Sequence, residues 1–225
     1  MTERGILKKT FPEAIRISWE EVEELLWQIF VSMRKSGYSP DVVIGVARGG
    51  LAPARILADY LQNKYVCTFQ MGHWGEGRDL SDRPSIVFPL PEVDLSKEKV
   101  LVVDDVTDEG GTMGEVVNYL KDKVGDIRTA VLIDKDVSKF RPDFYGRAMK
   151  EWKWVLFPWS RHEDLLAFTE KVLQLTGGVT IEDIVRILEE ALSVEIVTAE
   201  IEKVLFDMKL AGEVTEGKDK VWSLI

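Results

Sequence analysis

Apolar residues recur at helical spacing from Trp19 to about Ser36, where Val22, Leu25, Leu26, Ile29, Phe30 and Met33 share one face. Ser18, followed by Glu20 and Glu21, marks the helix start. The pattern then changes. Asp41 leads into VVIGVA, a continuous apolar run of the kind buried on both faces of a parallel sheet. After ARGG a second helix is predicted over Pro53–Leu61, with its proline near the first turn. Tyr65–Gln70, Val100–Val103 and Thr129–Ile133 read as further strands, and a helix from about Met113 to Lys121 separates the last two. Residues 72–84 (GHWGEGRDLSDRP) have no period and are rich in glycine and charge, which predicts a mobile loop. Strands alternating with helices predict an α/β fold, a doubly wound parallel sheet whose ligands sit at the carboxyl ends of the strands. ARGG and DDVTDEGGT occupy two such ends.

The texture changes at Thr176-Gly177-Gly178, so two domains are expected, 1–175 and 176–225. In the second, Thr180 caps a helix over Ile181–Leu192 and another follows over Thr198–Leu210. Gly212–Ile225 reads as a hairpin, which makes a small α+β unit resembling a winged helix. From Gly177 onward, five lysines and arginines face eleven acids, a net charge of −6. The whole chain carries −10. Neither charge suits a surface that must displace counterions from nucleic acid, so no nucleic-acid partner is expected.

The 45% hydrophobic content suffices for one sizeable core and a smaller appended unit. The first residues lack the apolar core of a signal peptide, and no apolar run is long enough to cross a bilayer. A cytoplasmic protein without membrane association is expected. Cys67, the single cysteine, reads as an inert buried thiol. His73 and His162 lie far apart and have no metal-ligand spacing.

The strongest chemical signal is VLVVDDVTDEGGT, Val100 to Thr112. Its apolar half delivers a loop to the sheet edge. Gly110 and Gly111 allow a tight turn with successive N–H groups pointing inward, and the helix that opens near Met113 adds its positive dipole end. This is an anion nest. Thr112 adds a hydroxyl. Asp104 and Asp105 can hold sugar hydroxyls and the waters of a Mg2+ ion, which binds few carboxylates directly. Asp108 is placed to move a proton. The second signal, Val46-Ala47-Arg48-Gly49-Gly50, can wrap a pyrophosphate with backbone amides and one cation.

In this order the two motifs resemble the type I phosphoribosyltransferase family, and the resemblance runs over roughly Trp19 to Trp159. It implies that the chain binds 5-phosphoribosyl-1-pyrophosphate with Mg2+ as cofactor. The residues facing the phosphate and ribose would be Asp104, Asp105, Thr107, Asp108, Glu109, Gly110, Gly111 and Thr112. Of these, Asp104 and Asp105 would meet the metal through water and Asp108 would be catalytic. Arg48 and Gly49 would hold pyrophosphate in a loop whose cis peptide falls at Arg48–Gly49. One departure stands out. Glu109 takes the place of a small hydroxyl residue, and a carboxylate beside a phosphate must turn outward.

Within the family, the chain resembles the 6-oxopurine branch. Lys135 would donate to the purine O6, Trp154 would stack on the ring, and Val155 would offer its backbone to the base edge. Trp152 and Trp159 are rival stacking partners. Residues 72–84 match the family's lid, with Arg78 or Arg83 reaching pyrophosphate. The implied products are a nucleoside 5′-monophosphate and pyrophosphate, and a homo-oligomer, a dimer, is expected. Guanine, hypoxanthine and xanthine stay open, as do adenine and other bases. The rival reading is a ligand-sensing regulator that grips DNA with the terminal unit, and the charge of that unit opposes it.

Overall fold

The computed structural model describes residues 10–72 and 85–225. In chain order its elements begin with β1 (Ala14–Arg16), α1 (Trp19–Ser36), β2 (Val42–Ala47), α2 (Leu51–Tyr60), β3 (Val66–Gly72) and β4 (Ser85–Phe88). They continue through β5 (Leu95–Thr107), α3 (Gly111–Leu120), β6 (Val124–Lys135), β7 (Phe144–Met149) and β8 (Trp154–Leu156). The last are α4 (Arg161–Thr176), α5 (Ile181–Leu192), α6 (Thr198–Leu210), β9 (Val214–Glu216) and β10 (Trp222–Leu224). Among the described residues no helix is long and apolar enough to cross a membrane.

The apolar runs become the centre of a six-stranded sheet of order β4-β3-β2-β5-β6-β7. Every pairing in it is parallel except β3 with β4. This is the expected α/β architecture. In β2 five consecutive residues are buried, and Val100 to Val103 of β5 are wholly so, because a central strand has helices or neighbours on both faces. The sheet strands are longer than the apolar runs suggest. β5 extends to Thr107, so Asp104 and Asp105 lie on the strand itself and not in the loop after it.

Contacts divide the chain into two compact units, one of Trp19–Trp152 and one of the described residues up to Ser18 together with Lys153–Ile225. The sequence-based boundary at 175 falls inside the second. Gly177 is the C-cap of α4, at φ +76°, so the Thr-Gly-Gly texture marks a helix stop. Leu165, Val172 and Leu173 of α4 share a core with Ile184, Leu188, Ile201 and Leu205 of the two terminal helices. That burial joins residues 161–176 to the terminal elements.

Within this unit β1 pairs in parallel with β8, and β9 with β10 as an antiparallel hairpin. Both terminal helices have the predicted bounds, and Thr180 Oγ1 accepts from the Asp183 N–H at 3.2 Å. Arg16 makes a two-pronged pair with Glu200, both contacts at 2.8 Å, and Arg161 adds a third at 3.2 Å. Cys67 is half-buried, and burial pushes its thiol up, as the expectation of an inert thiol requires.

Candidate active site

At the carboxyl edge of the sheet, β2 and β5 deliver their motifs to one place. A cleft of about 190 Å³ is lined by Val46, Ala47, Arg48, Gly49, Asp104 and Thr112, with Met71 and Gly72 of β3 at its side. Residues nearly sixty positions apart in sequence thus face the same small volume. Parallel pairing of β2 with β5, Gly45 opposite Val103, is what aligns their ends.

The first wall is the Arg48 loop. A cis peptide bond precedes it at Ala47–Arg48, one bond earlier than expected at Arg48–Gly49. Glycine is required twice for space. A Cβ on Gly50 would lie 2.3 Å from the Val103 carbonyl oxygen, and one on Gly49 would lie 2.3 Å from Asp105 Oδ2. The loop therefore rests directly on Asp105 and the strand before it.

The acids form the floor. The Asp105 N–H donates to Asp104 Oδ1 at 2.9 Å. Burial, and then the charge of Asp105, raise the Asp104 carboxyl well above the ordinary carboxylate range. Two repelling carboxylates of this kind suit a hard cation that keeps most of its waters. Among the described residues no group of three or more His, Cys, Asp or Glu forms a protein cage. The pair fits a Mg2+ ion held by one or two acids.

The opposite wall is the turn into α3. Gly110 is its N-cap at φ +85°, a conformation that L side chains rarely adopt. A Cβ there would also meet the Phe140 N and Ser138 Oγ at 2.6 Å. Gly111 opens the helix, so the amides of Gly111 and Thr112 belong to its unsatisfied first turn. Glu109 is exposed, and its carbonyl accepts from the Lys139 N–H at 3.1 Å. The outward turn expected of its carboxylate matches that exposure.

Asp108 directly follows β5, and Lys135 ends the adjacent strand β6. Lys135 is only 3% exposed, and its Nζ lies 3.3 Å from Asp108 Oδ1. Burial lowers the lysine's pKa, and the Asp108 charge opposes that. Thr107 turns inward, and its hydroxyl donates to the buried Asp134 Oδ1 at 2.6 Å. Arg141 pairs with Asp134 Oδ2 at 3.2 Å. Asp134 and Arg141 are absent from the sequence reading. The one signal for Asp134 was its place beside Lys135 at a strand end.

Trp152, expected only as a rival stacking partner, lies beside Asp108 and Lys135. Its Nε1 donates to Asp108 Oδ1 at 2.5 Å, and the Lys135 ammonium sits 4.4 Å from its ring centre. Trp154 and Val155 are on β8, in the other unit. There the Trp154 indole N–H donates to Asp164 at 3.1 Å and its ring meets Phe168 edge-on, while Val155 is buried. Trp159 stacks on Phe157 with centroids 4.8 Å apart. His73, Arg78, Arg83 and the rest of the expected lid lie outside the described residues.

A mostly parallel sheet with an acid-bearing strand, a glycine turn into a helix and an arginine–glycine loop at one edge defines an α/β class with an anion-binding edge. The phosphoribosyl transferase domain matches residues 13–164, and the chain belongs to that family of phosphoribosyltransferases. It is 28% identical over 160 residues to a xanthine-guanine phosphoribosyltransferase of Ruegeria sp., covering 65% of this chain and 85% of that one. It is 34% identical over 122 residues to a hypoxanthine-guanine phosphoribosyltransferase of Aquifex aeolicus, covering 50% and 67%. The crystal structure of a purine phosphoribosyltransferase from Pyrococcus horikoshii superposes with a TM-score of 0.58 at 32% identity, covering 65% of this chain and 93% of that one.

Proposed function

We propose that this chain transfers the phosphoribosyl group of 5-phosphoribosyl-1-pyrophosphate to a 6-oxopurine, releasing pyrophosphate and forming a nucleoside 5′-monophosphate. The observation that carries this reading is the convergence of Arg48, Gly49, Asp104 and Thr112 on one cleft, with the buried Lys135 beside Asp108.

In this reading the amides around Gly110, Gly111 and Thr112 hold the 5′-phosphate, which gains from the helix dipole and from N–H groups with no partner inside the helix. Arg48 and the Gly49 turn hold the pyrophosphate. Asp104 and Asp105 hold ribose hydroxyls and, through water, Mg2+, which when bound offsets the charge that gathers on the departing pyrophosphate. The bond from ribose C1 to the pyrophosphate oxygen breaks as the bond from C1 to the purine nitrogen forms. Asp108 accepts the proton that this nitrogen loses. Lys135 donates to O6, a pairing open to an oxo group and closed to the amino group of adenine. Trp154 and Val155 keep the roles the family resemblance gives them, stacking and backbone contact. The enzyme works as a homodimer.

The test is a steady-state assay with Mg2+, phosphoribosyl pyrophosphate and adenine, guanine, hypoxanthine or xanthine in turn. The expected result is nucleotide and pyrophosphate in equal amounts from the 6-oxopurines. Transfer to none of the four bases overturns the reading, and adenine as the best acceptor overturns the 6-oxopurine part of it.

A further inference from the structure

Two donors converge on a single oxygen at the end of β5. Asp108 Oδ1 receives the Trp152 indole N–H at 2.5 Å and faces the Lys135 ammonium at 3.3 Å. The ammonium in turn sits over the Trp152 ring, 4.4 Å from its centre. Each of the three side chains therefore touches the other two. Both contacts fall on Oδ1 of this carboxylate.

We propose that Trp152 is a positioning residue for the proton acceptor, holding Oδ1 of Asp108 so that Oδ2 is presented to the purine nitrogen. This inference rests on the transferase reading above. A carboxylate with a half-exposed side chain can swing between rotamers, and each wrong rotamer removes the acceptor from the reacting atom. Lys135 alone fixes it poorly, because an ammonium on a four-carbon stem is a point charge without a directional fork. The indole N–H is directional, and a bond from it to an ionised oxygen is charge-assisted. The same ring faces the lysine's charge, a favourable contact with the π system that keeps the ammonium off the acceptor oxygen's free side. One side chain thus orders both groups that the purine must meet, and the hydrogen bond to Asp108 comes from a residue outside the recognised motifs.

The experiment compares the parent with Trp152→Phe, Trp152→His, Asp108→Asn and the double variant Trp152→Phe/Asp108→Asn. Phenylalanine keeps a ring beneath the ammonium and removes the N–H, while histidine keeps a ring N–H. Trp152→Phe is expected to lower kcat about tenfold, with KM for phosphoribosyl pyrophosphate within about twofold of the parent. Trp152→His should recover part of the loss. On the Asp108→Asn background, Trp152→Phe should cost less than about twofold more, because the residue acts through the carboxylate. Parent kcat in Trp152→Phe, or the same loss with and without Asp108, overturns the inference and leaves the transferase reading standing. So does a lower purine KM at unchanged kcat, which would make the indole an obstacle to the base. A parent that forms no nucleotide overturns the transferase reading itself, and the inference with it.

Discussion

Lys135 and Asp108 close the ends of two neighbouring strands with a 3.3 Å contact, one partner almost fully buried and the other half exposed. The arrangement sets a buried cation against a carboxylate. Burial lowers the lysine's pKa, and Asp108 pulls it back. An ammonium is a donor with no acceptor capacity, so its value to the site depends on an acceptor in the substrate.

Base choice follows from that. Lys135→Ala is expected to lower kcat/KM for guanine, hypoxanthine and xanthine by about 10² or more, since on the proposed reading the site has lost its donor to O6. Adenine, which brings an amino donor to the same position, should change by far less. The gap between the two kinds of purine should narrow from the 6-oxopurine side. A uniform loss across all four bases in steady-state assays would show that Lys135 supports the site without reading the ring.

Asp108 is tested through turnover. Asp108→Asn keeps the shape and removes the proposed proton acceptor, so kcat should fall by roughly 10² or more. Affinity for phosphoribosyl pyrophosphate, measured by calorimetric titration with Mg2+, should change little, because Arg48, Asp104 and the α3 turn are intact. Turnover within a few-fold of the parent would move the proton role to another group.

How much of this was legible in sequence depends on how local each feature is. The acid-bearing strand and its glycine turn could be read directly, because apolar run, acids and helix start all lie within Val100–Thr112. The two terminal helices were bounded to the residue, since their apolar faces repeat over three turns and Thr180 caps the first. Strands β1 and β8 are three residues each and pair across about 140 positions, too short for any period to show. Helix α4 escaped for a related reason. Its charged surface outweighs a narrow buried stripe of Leu165, Thr169, Val172 and Leu173. Thr107 read as a ligand contact, yet the pleat turns it into the sheet, where pairing with β6 puts it opposite Asp134. Trp152 was one of three tryptophans in eight residues, and composition cannot choose among them.

Three glycines give a graded test of the cleft walls. Gly49→Ala places a Cβ 2.3 Å from Asp105 Oδ2, and Gly110→Ala combines a φ of +85° with contacts of 2.6 Å to Phe140 N and Ser138 Oγ. Both should weaken phosphoribosyl pyrophosphate binding by about tenfold or more, and Gly110→Ala should also destabilise the fold by about 1 kcal/mol. Gly114, inside α3 with nothing within 4 Å of its added Cβ, is the control. Gly114→Ala should leave binding unchanged and stabilise by up to about 1 kcal/mol, because alanine favours the helix. Equal effects at all three positions would sever the link between these walls and the sugar phosphate.

The last expectation concerns acid stability and the ion pair that ties β1 and α4 to α6. Burial alone would raise the Glu200 carboxyl, but hydrogen bonds and charge from Arg16 and then Arg161 outweigh it, so the folded pKa lies below the ordinary glutamate value of 4.5. A depressed carboxyl binds its proton less readily in the folded state than in the unfolded one. Its contribution is therefore complete above the unfolded value and is lost as pH falls through the folded value. Glu200→Gln keeps the shape but loses the charge that both guanidinium groups face. At pH 7 the variant should be less stable by about 2 kcal/mol, the scale of hydrogen bonds to charged groups at partly buried sites. For a chain of this size that corresponds to a fall in Tm of about 4 to 8 °C. The difference from the parent should hold at pH values above the unfolded carboxyl's range and then shrink as pH falls below it and the parent's own carboxyl takes up its proton. Thermal unfolding of both proteins at pH 7, 5, 4 and 3, followed by circular dichroism, makes the comparison. A difference that stays constant across that range would trace the loss to packing and not to the charge on Glu200.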